Sequence, residues 1–313
     1  MASACGRGGC IRPFVSELSV LTAEPGFCGT RLAAGADRVA SDFQHLGEAV
    51  AVTANTAAVM TRLGQYAPAQ VVGACAAITP ETTLLRLDAG AVETALAVER
   101  MPMQRLPYSL QFYCSAGAIL HKCFLTDCRD DLDFARLTHD WERGDRAPES
   151  TPTRGRASRM TAGGDYAAQV DSLFGDNGLG RRASLPQWGS GHAWRVPPEM
   201  ALAALSMAGN IRMPLTKAVG NMGVAQIHNG PLEQVRRSQS LAILSSGTCT
   251  LSLDMADVEE AWVTRYEGEH GEAWMLEFYD WRFHCVAQIA APELEKPGLG
   301  GYWEQLLLSL RPV

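Results

Sequence analysis

The chain carries one pattern twice, 166 positions apart and without a gap: Leu110-Gln-Phe-Tyr113 returns as Leu276-Glu-Phe-Tyr279 (276 − 110 = 166). Leu85-Arg-Leu-Asp88 returns as Leu251-Ser-Leu-Asp254, and Val92-Glu-Thr-Ala95 meets Val258-Glu-Glu-Ala261. Nine identities fall within residues 84–122, where ordinary amino-acid usage gives about two or three. Whatever one copy folds into, the other repeats. At about 150 residues per domain, 313 residues also divide into two units. The expected organisation is a first repeat half over 1–143, a flexible connection over 144–184 and a second repeat half over 185–313. Two sheet-bearing copies can enclose a cleft, and clefts at such junctions are where ligands bind.

Within each copy the periodicity is mainly that of strands. Tyr108–Cys114 against Ala118–Thr126 reads as a hairpin turning through Ser115-Ala116-Gly117, with Trp274–Asp280 against Phe283–Ala290 as its counterpart. Residues 48–60 read as strand. Residues 31–46 place Leu32, Val39, Phe43 and Leu46 at helical spacing, with Gly47 as a stop. Pro197-Pro198 opens a helix reaching Met207, and a last helix covers Tyr302–Leu310. From Gly144 to Asp165 large apolar residues almost vanish, as in a linker. The class is α+β: a tandem duplication of a mostly antiparallel sheet unit with flanking helices and a ligand cleft between sheet and helices.

A net charge of −7 without a basic stripe argues against nucleic acid as partner. No run approaches the roughly 18 apolar residues of a membrane span. Arg7, Arg12 and Pro13 interrupt the start before a signal-peptide core develops, so the expectation is a cytoplasmic protein without membrane insertion. Nine cysteines, several inside strand-like segments (Cys114, Cys123, Cys249, Cys285), read as reduced core thiols. Cys114, Cys123 and Cys128 lack the paired spacing of a zinc site. The glycines near residues 6–10 precede no βα unit that could make a nucleotide loop.

Three segments then take on a common meaning. Leu46-Gly47-Glu48 through Thr53-Ala54-Asn55, with Leu63-Gly64-Gln65-Tyr66, is similar to a motif of the bacterial hemin-degrading and heme-trafficking proteins of the HemS/HmuS type. Ser109-Leu-Gln-Phe112 through His121-Lys122 resembles a second, and Val219-Gly-Asn221-Met-Gly223-Val-Ala-Gln226-Ile-His228-Asn-Gly230-Pro231 resembles the third and most specific. Val15-Ser16-Glu17-Leu18 resembles the family's helix start, and the likeness spans about residues 15–135 and 185–310.

The resemblance implies a duplicated fold that holds one heme, which is passed to a heme oxygenase after delivery by an uptake transporter or opened on the protein itself. It makes His192, in Trp188-Gly-Ser-Gly-His192, the candidate axial ligand, against the reading of a surface loop histidine. Arg86 matches an arginine that reaches heme from the first half, its alternative being a salt bridge at the sheet rim; its repeat counterpart is Ser252. Tyr266 stands where the family has a heme-facing lysine, and Ala290, Ala291 and Glu293 replace a Tyr-Gly-x-Arg cluster. Only 26 residues separate His192 from Val219, too few for further helices that relatives carry there. Met60, His228 and the pair His121-Lys122 read as core, turn support and hairpin surface. The departures motivate the alternative of a diverged scaffold or binding module that no longer takes heme.

Overall fold

The computed structural model describes residues 16–67, 69–72, 75–78, 83–99, 108–126, 131–143, 166–173, 176–268, 271–291, 299–310 and 312. The expected linker Gly144–Asp165, Cys128 and Glu293 lie outside them. The first half runs α1 (Glu17–Ala23), β1 (Gly29–Arg31), α2 (Ala36–Ser41), β2 (Glu48–Ala54), β3 (Ala58–Gln65), β4 (Ala69–Val72), β5 (Cys75–Ile78), β6 (Thr83–Asp88), β7 (Thr94–Val98), β8 (Ser109–Tyr113), β9 (Ile119–Leu125) and α3 (Asp131–Arg143). The second runs α4 (Tyr166–Asp171), α5 (Leu179–Ser184), β10 (Ala193–Val196), α6 (Pro198–Asn210), β11 (Pro214–Gly220), β12 (Val224–Pro231), β13 (Gln234–Ser238), β14 (Leu241–Ser246), β15 (Cys249–Asp254), β16 (Val258–Gly268), β17 (Gly271–Asp280), β18 (Cys285–Ala290) and α7 (Leu299–Leu308).

The sequence offset is kept residue for residue in the strands: 48 + 166 = 214 and 54 + 166 = 220 carry β2 onto β11, and 83 + 166 = 249 and 88 + 166 = 254 carry β6 onto β15. Yet neither half forms a sheet alone. Among the described residues there are two nine-stranded antiparallel sheets, ordered β1-β7-β8-β9-β2-β3-β15-β14-β13 and β10-β16-β17-β18-β11-β12-β6-β5-β4. Each half lends three strands to the other's sheet, with Met60 of β3 opposite Leu251 of β15 and Ala225 of β12 opposite Arg86 of β6. The cores are shared accordingly. Leu251 and Leu253 pack with Leu276 and Phe278, while Leu85 and Leu87 pack with Phe112 and Phe43.

Two asparagines, themselves 166 apart, clasp the exchange (55 + 166 = 221). The Asn55 amide donates to Gly220 O (3.0 Å) and Val286 O (2.8 Å), and its Oδ1 accepts from the N–H of Ala57 (3.2 Å) and Ala58 (2.9 Å). The Asn221 amide donates to Ala54 O (3.0 Å) and Leu120 O (2.9 Å), and its Oδ1 accepts from Gly223 N (3.2 Å) and Val224 N (3.0 Å). Each side chain thus caps its own turn and ties it to the opposite half. Asn221→Ala strands the carbonyls of Ala54 and Leu120 in the first half, and chemical denaturation should show a loss of about 2 kcal/mol; an unchanged midpoint would mean that the clasp is redundant.

The hairpins and the helices at Pro198 and Leu299 stand where the periodicity puts them, with Gly117 in the left-handed region at φ +71°. The single helix expected over 31–46 is instead the end of β1, α2 and a tight turn at Asp42–His45. Leu32 N–H bonds Ala95 O and prolongs the strand, although Leu32, Val39, Phe43 and Leu46 are all buried. The strand expected over 48–60 is broken at the Asn55 turn. Part of the expected connection, residues 166–173 and 176–184, carries α4 and α5 packed on the second sheet. Val170 and Leu173 bury themselves against Ala218 and Ala225. Gly220 permits this approach, because a Cβ there would lie 2.8 Å from Leu173 Cδ1.

Candidate functional site: the α4–α5 face of the second sheet

One face of the second sheet packs on α6 and α7; the other receives α4 and α5. Cross-strand register sets Trp262, Glu277, Gln288, Ala218, Ile227 and Leu84 in one row of that second face. Side chains two residues away share it, which adds Thr264, Tyr266, Tyr279, Ala290 and Arg86.

The face is polar at its centre and closed over it. Glu277 is fully buried and takes Arg181 of α5 in a bidentate pair, Nε to Oε2 at 2.7 Å and Nη2 to Oε1 at 2.5 Å. The hydroxyls of Thr264 (2.5 Å) and Tyr279 (2.6 Å) donate to the same carboxylate, and Gln169 of α4 accepts from Arg181. Burial alone would raise the Glu277 carboxyl, but the Arg181 guanidinium outweighs it and holds the group below its usual range. Arg181 also lies 5.1 Å from the Trp188 ring centroid. Toward one rim Arg182 pairs with Glu260 and stacks on Trp262. Gln288 is buried and its Oε1 meets no described hydrogen-bond donor.

The expected site residues divide. Arg86 and Tyr266 share this face, at the two sides of the run β16-β17-β18-β11-β12-β6. Arg86 comes from the first half on an exchanged strand and forms an ion pair with Asp171, the last residue of α4. Tyr266 is fully buried among Met275, Ala290 and Ala273. His192 is not on a helix: it ends a turn held by Gly189, whose carbonyl accepts from the N–H of His192 (2.9 Å) and Ala193 (3.0 Å). Its own carbonyl accepts from Arg265 N (2.7 Å), which extends the Ala193–Thr264 register by one position. The imidazole is partly exposed and bonds no described side chain.

Two further histidines, His121 and His228, are structural. His228 is buried against Ser246 Oγ (3.2 Å), and burial, then the charges of Lys217 and Arg62, push it down to about 4. His121 corrects the expectation of a hairpin surface. It lies in the core between Thr53 Oγ1 (2.9 Å) and Tyr66 Oη (3.4 Å), and burial pushes it down to about 3. His121 shares the inward face of β9 with Cys123 and Leu125, and a bulge between Phe112 and Tyr113 turns Leu120 inward beside it. Met60 is core, as expected.

The residues missed from the sequence are Asp171, Arg181, Glu277 and the two asparagines. Asn55 and Asn221 carried a signal, since they repeat at the common offset inside two of the quoted motifs. Arg181 and Asp171 carried none, because they lie in the stretch without strand or motif pattern.

The chain is similar to known proteins along both halves. It is 24% identical over 309 residues to the hemin transport protein HmuS of Yersinia pestis, across 95% of this chain and 90% of that protein. It is 25% identical over 294 residues to the hemin transport protein HemS of Yersinia enterocolitica, across 90% and 85%. The fold matches holo-PhuS, a heme-binding protein from Pseudomonas aeruginosa, with a TM-score of 0.73 and 21% identity over 96% of this chain and 91% of that one. It matches ChuS, an E. coli heme oxygenase, equally at 0.73 and 21% over 91% and 89%. The haemin-degrading HemS.ChuX domain matches twice, over residues 14–141 and 178–307, and the chain belongs to that family.

Proposed function

We propose that the chain binds heme on the α4–α5 face of the second sheet and hands it on in the cytoplasm during iron acquisition, with a heme oxygenase or an uptake transporter as its partner. Oxidative opening of the ring on the protein is a further activity of the same reading. The observation that carries it is the exchanged strand β6. It plants the Arg86 guanidinium from one half on the sheet of the other, on the face shared with Tyr266, whereas its counterpart Ser252 offers no charge.

The donor set fits a heme with two carboxylates. Arg86 already binds a carboxylate, and the His192 imidazole bonds no described side chain. Arg86 is proposed to hold a propionate. His192 is proposed as the iron ligand, its flanking Gly189 and Gly191 leaving the turn room to rotate toward the face. Tyr266 and Ala290 supply apolar wall. Bound heme supplies its own oxygen chemistry, so the protein's share is to hold, orient and exclude water.

Mixing the full chain with hemin should give a Soret shift at micromolar ligand that His192→Ala abolishes and Arg86→Gln weakens about tenfold. A flat titration would sink the proposal in favour of a scaffold that has lost heme. A shift unchanged by His192→Ala would move the ligand elsewhere.

A further inference from the structure

We propose that Asp171 is an internal competitor for Arg86, occupying the guanidinium until a ligand carboxylate replaces it and so lowering the affinity of this face for carboxylate-bearing ligands. The inference rests on the heme reading above and adds what tunes the grip on the ligand's carboxylate. Arg86 and Asp171 come from elements far apart in sequence, β6 and the end of α4, and the pair closes the helix against the sheet. Their side chains are 21% and 43% exposed, whereas Arg181 and Glu277 are both 0% exposed.

That difference decides which pair can exchange. Separating Arg181 from Glu277 leaves an unpaired charge in a dry interior. Separating Arg86 from Asp171 returns a carboxylate to water that already reaches it, and a pair that open is weak. An incoming propionate keeps the guanidinium neutralised, so the exchange conserves charge at Arg86. A neutral macrocycle has nothing to trade for Asp171. Until the end of α4 moves, the Asp171 charge also repels an approaching anion. Asp171 therefore weakens binding of anionic ligands and leaves that of neutral ones unchanged.

The test is a Soret titration of the full chain and of Asp171→Asn, each with hemin and with hemin dimethyl ester. Asp171→Asn should bind hemin roughly 3- to 10-fold more tightly, bind the ester as the wild type does, and lose its gain when combined with Arg86→Gln. Wild-type binding of hemin with no gain in Asp171→Asn, or an equal gain for the ester, overturns the competition for Arg86 alone. No binding of hemin by the wild type overturns both this inference and the heme reading.

Discussion

Truncating Arg181 to alanine should cost the fold about 3–5 kcal/mol, because it strands Glu277 as an uncompensated charge in the interior. Arg181 and Glu277 are both fully buried, and Thr264 and Tyr279 donate to the same carboxylate without supplying charge. The first half offers a natural control. Gln111 occupies the position of Glu277 (277 − 111 = 166) and accepts from Tyr113 Oη at 2.5 Å, as Glu277 accepts from Tyr279. The strand geometry therefore does not require the charge; the charge exists for Arg181. Glu277→Gln alone should then be nearly as damaging as Arg181→Ala, since it leaves the guanidinium buried beside a neutral amide. The double variant Arg181→Met with Glu277→Leu should recover most of the loss, to within about 2 kcal/mol of the wild type. Denaturant midpoints of the four proteins check this. A cost below about 1 kcal/mol for Arg181→Ala would mean that water reaches the pair.

The duplication made much of the architecture readable before any coordinates. A constant offset through Leu85, Val92, Leu110 and their mates requires equal strands and equal turns in both halves, and β2, β3 and β6 land on β11, β12 and β15 without a slip. Strand exchange was not readable for the same reason. β6 and β15 share the pattern Leu-x-Leu-Asp, so either could pair with β3 or with β12 on side-chain pattern alone. The turns that hold Asn55 and Asn221 join the halves where the choice is made. Motif resemblance made Arg86 and Tyr266 candidates for one ligand, and the register puts both on one face of the second sheet. His192 was read as an axial ligand or a surface loop histidine, and the glycines at 189 and 191 go with the turn on which it lies. Its backbone is spent on Gly189 and Arg265. Asp171 and Arg181 were invisible because short helices of mixed composition pair their charges only with partners distant in sequence.

Acid should unfold this protein through two histidines that have nothing to do with its ligand. His121 and His228 are held neutral in the fold, pushed down to about 3 and about 4, while the unfolded chain titrates near 6.5. Below 6.5 the unfolded state binds more protons than the folded one, so stability is fully present above that pH and drains away as pH falls toward the folded values. At pH 4.5, about two units below the unfolded value, the two together remove about 5 kcal/mol. The cost is unequally built. His121 gives up its place between Thr53 and Tyr66 in a core whose equivalents in the second half are Val219, Ala287 and Leu232, and burial is what holds it neutral. His228 would become charged beside Lys217 and Arg62, so repulsion adds to burial there. Denaturation midpoints measured from pH 7.5 to 4.5 should therefore fall steeply below 6.5, and His121→Gln should remove about half of that slope while lowering stability at neutral pH. A slope indifferent to His121→Gln would show that water enters the first-half core before the imidazole is protonated.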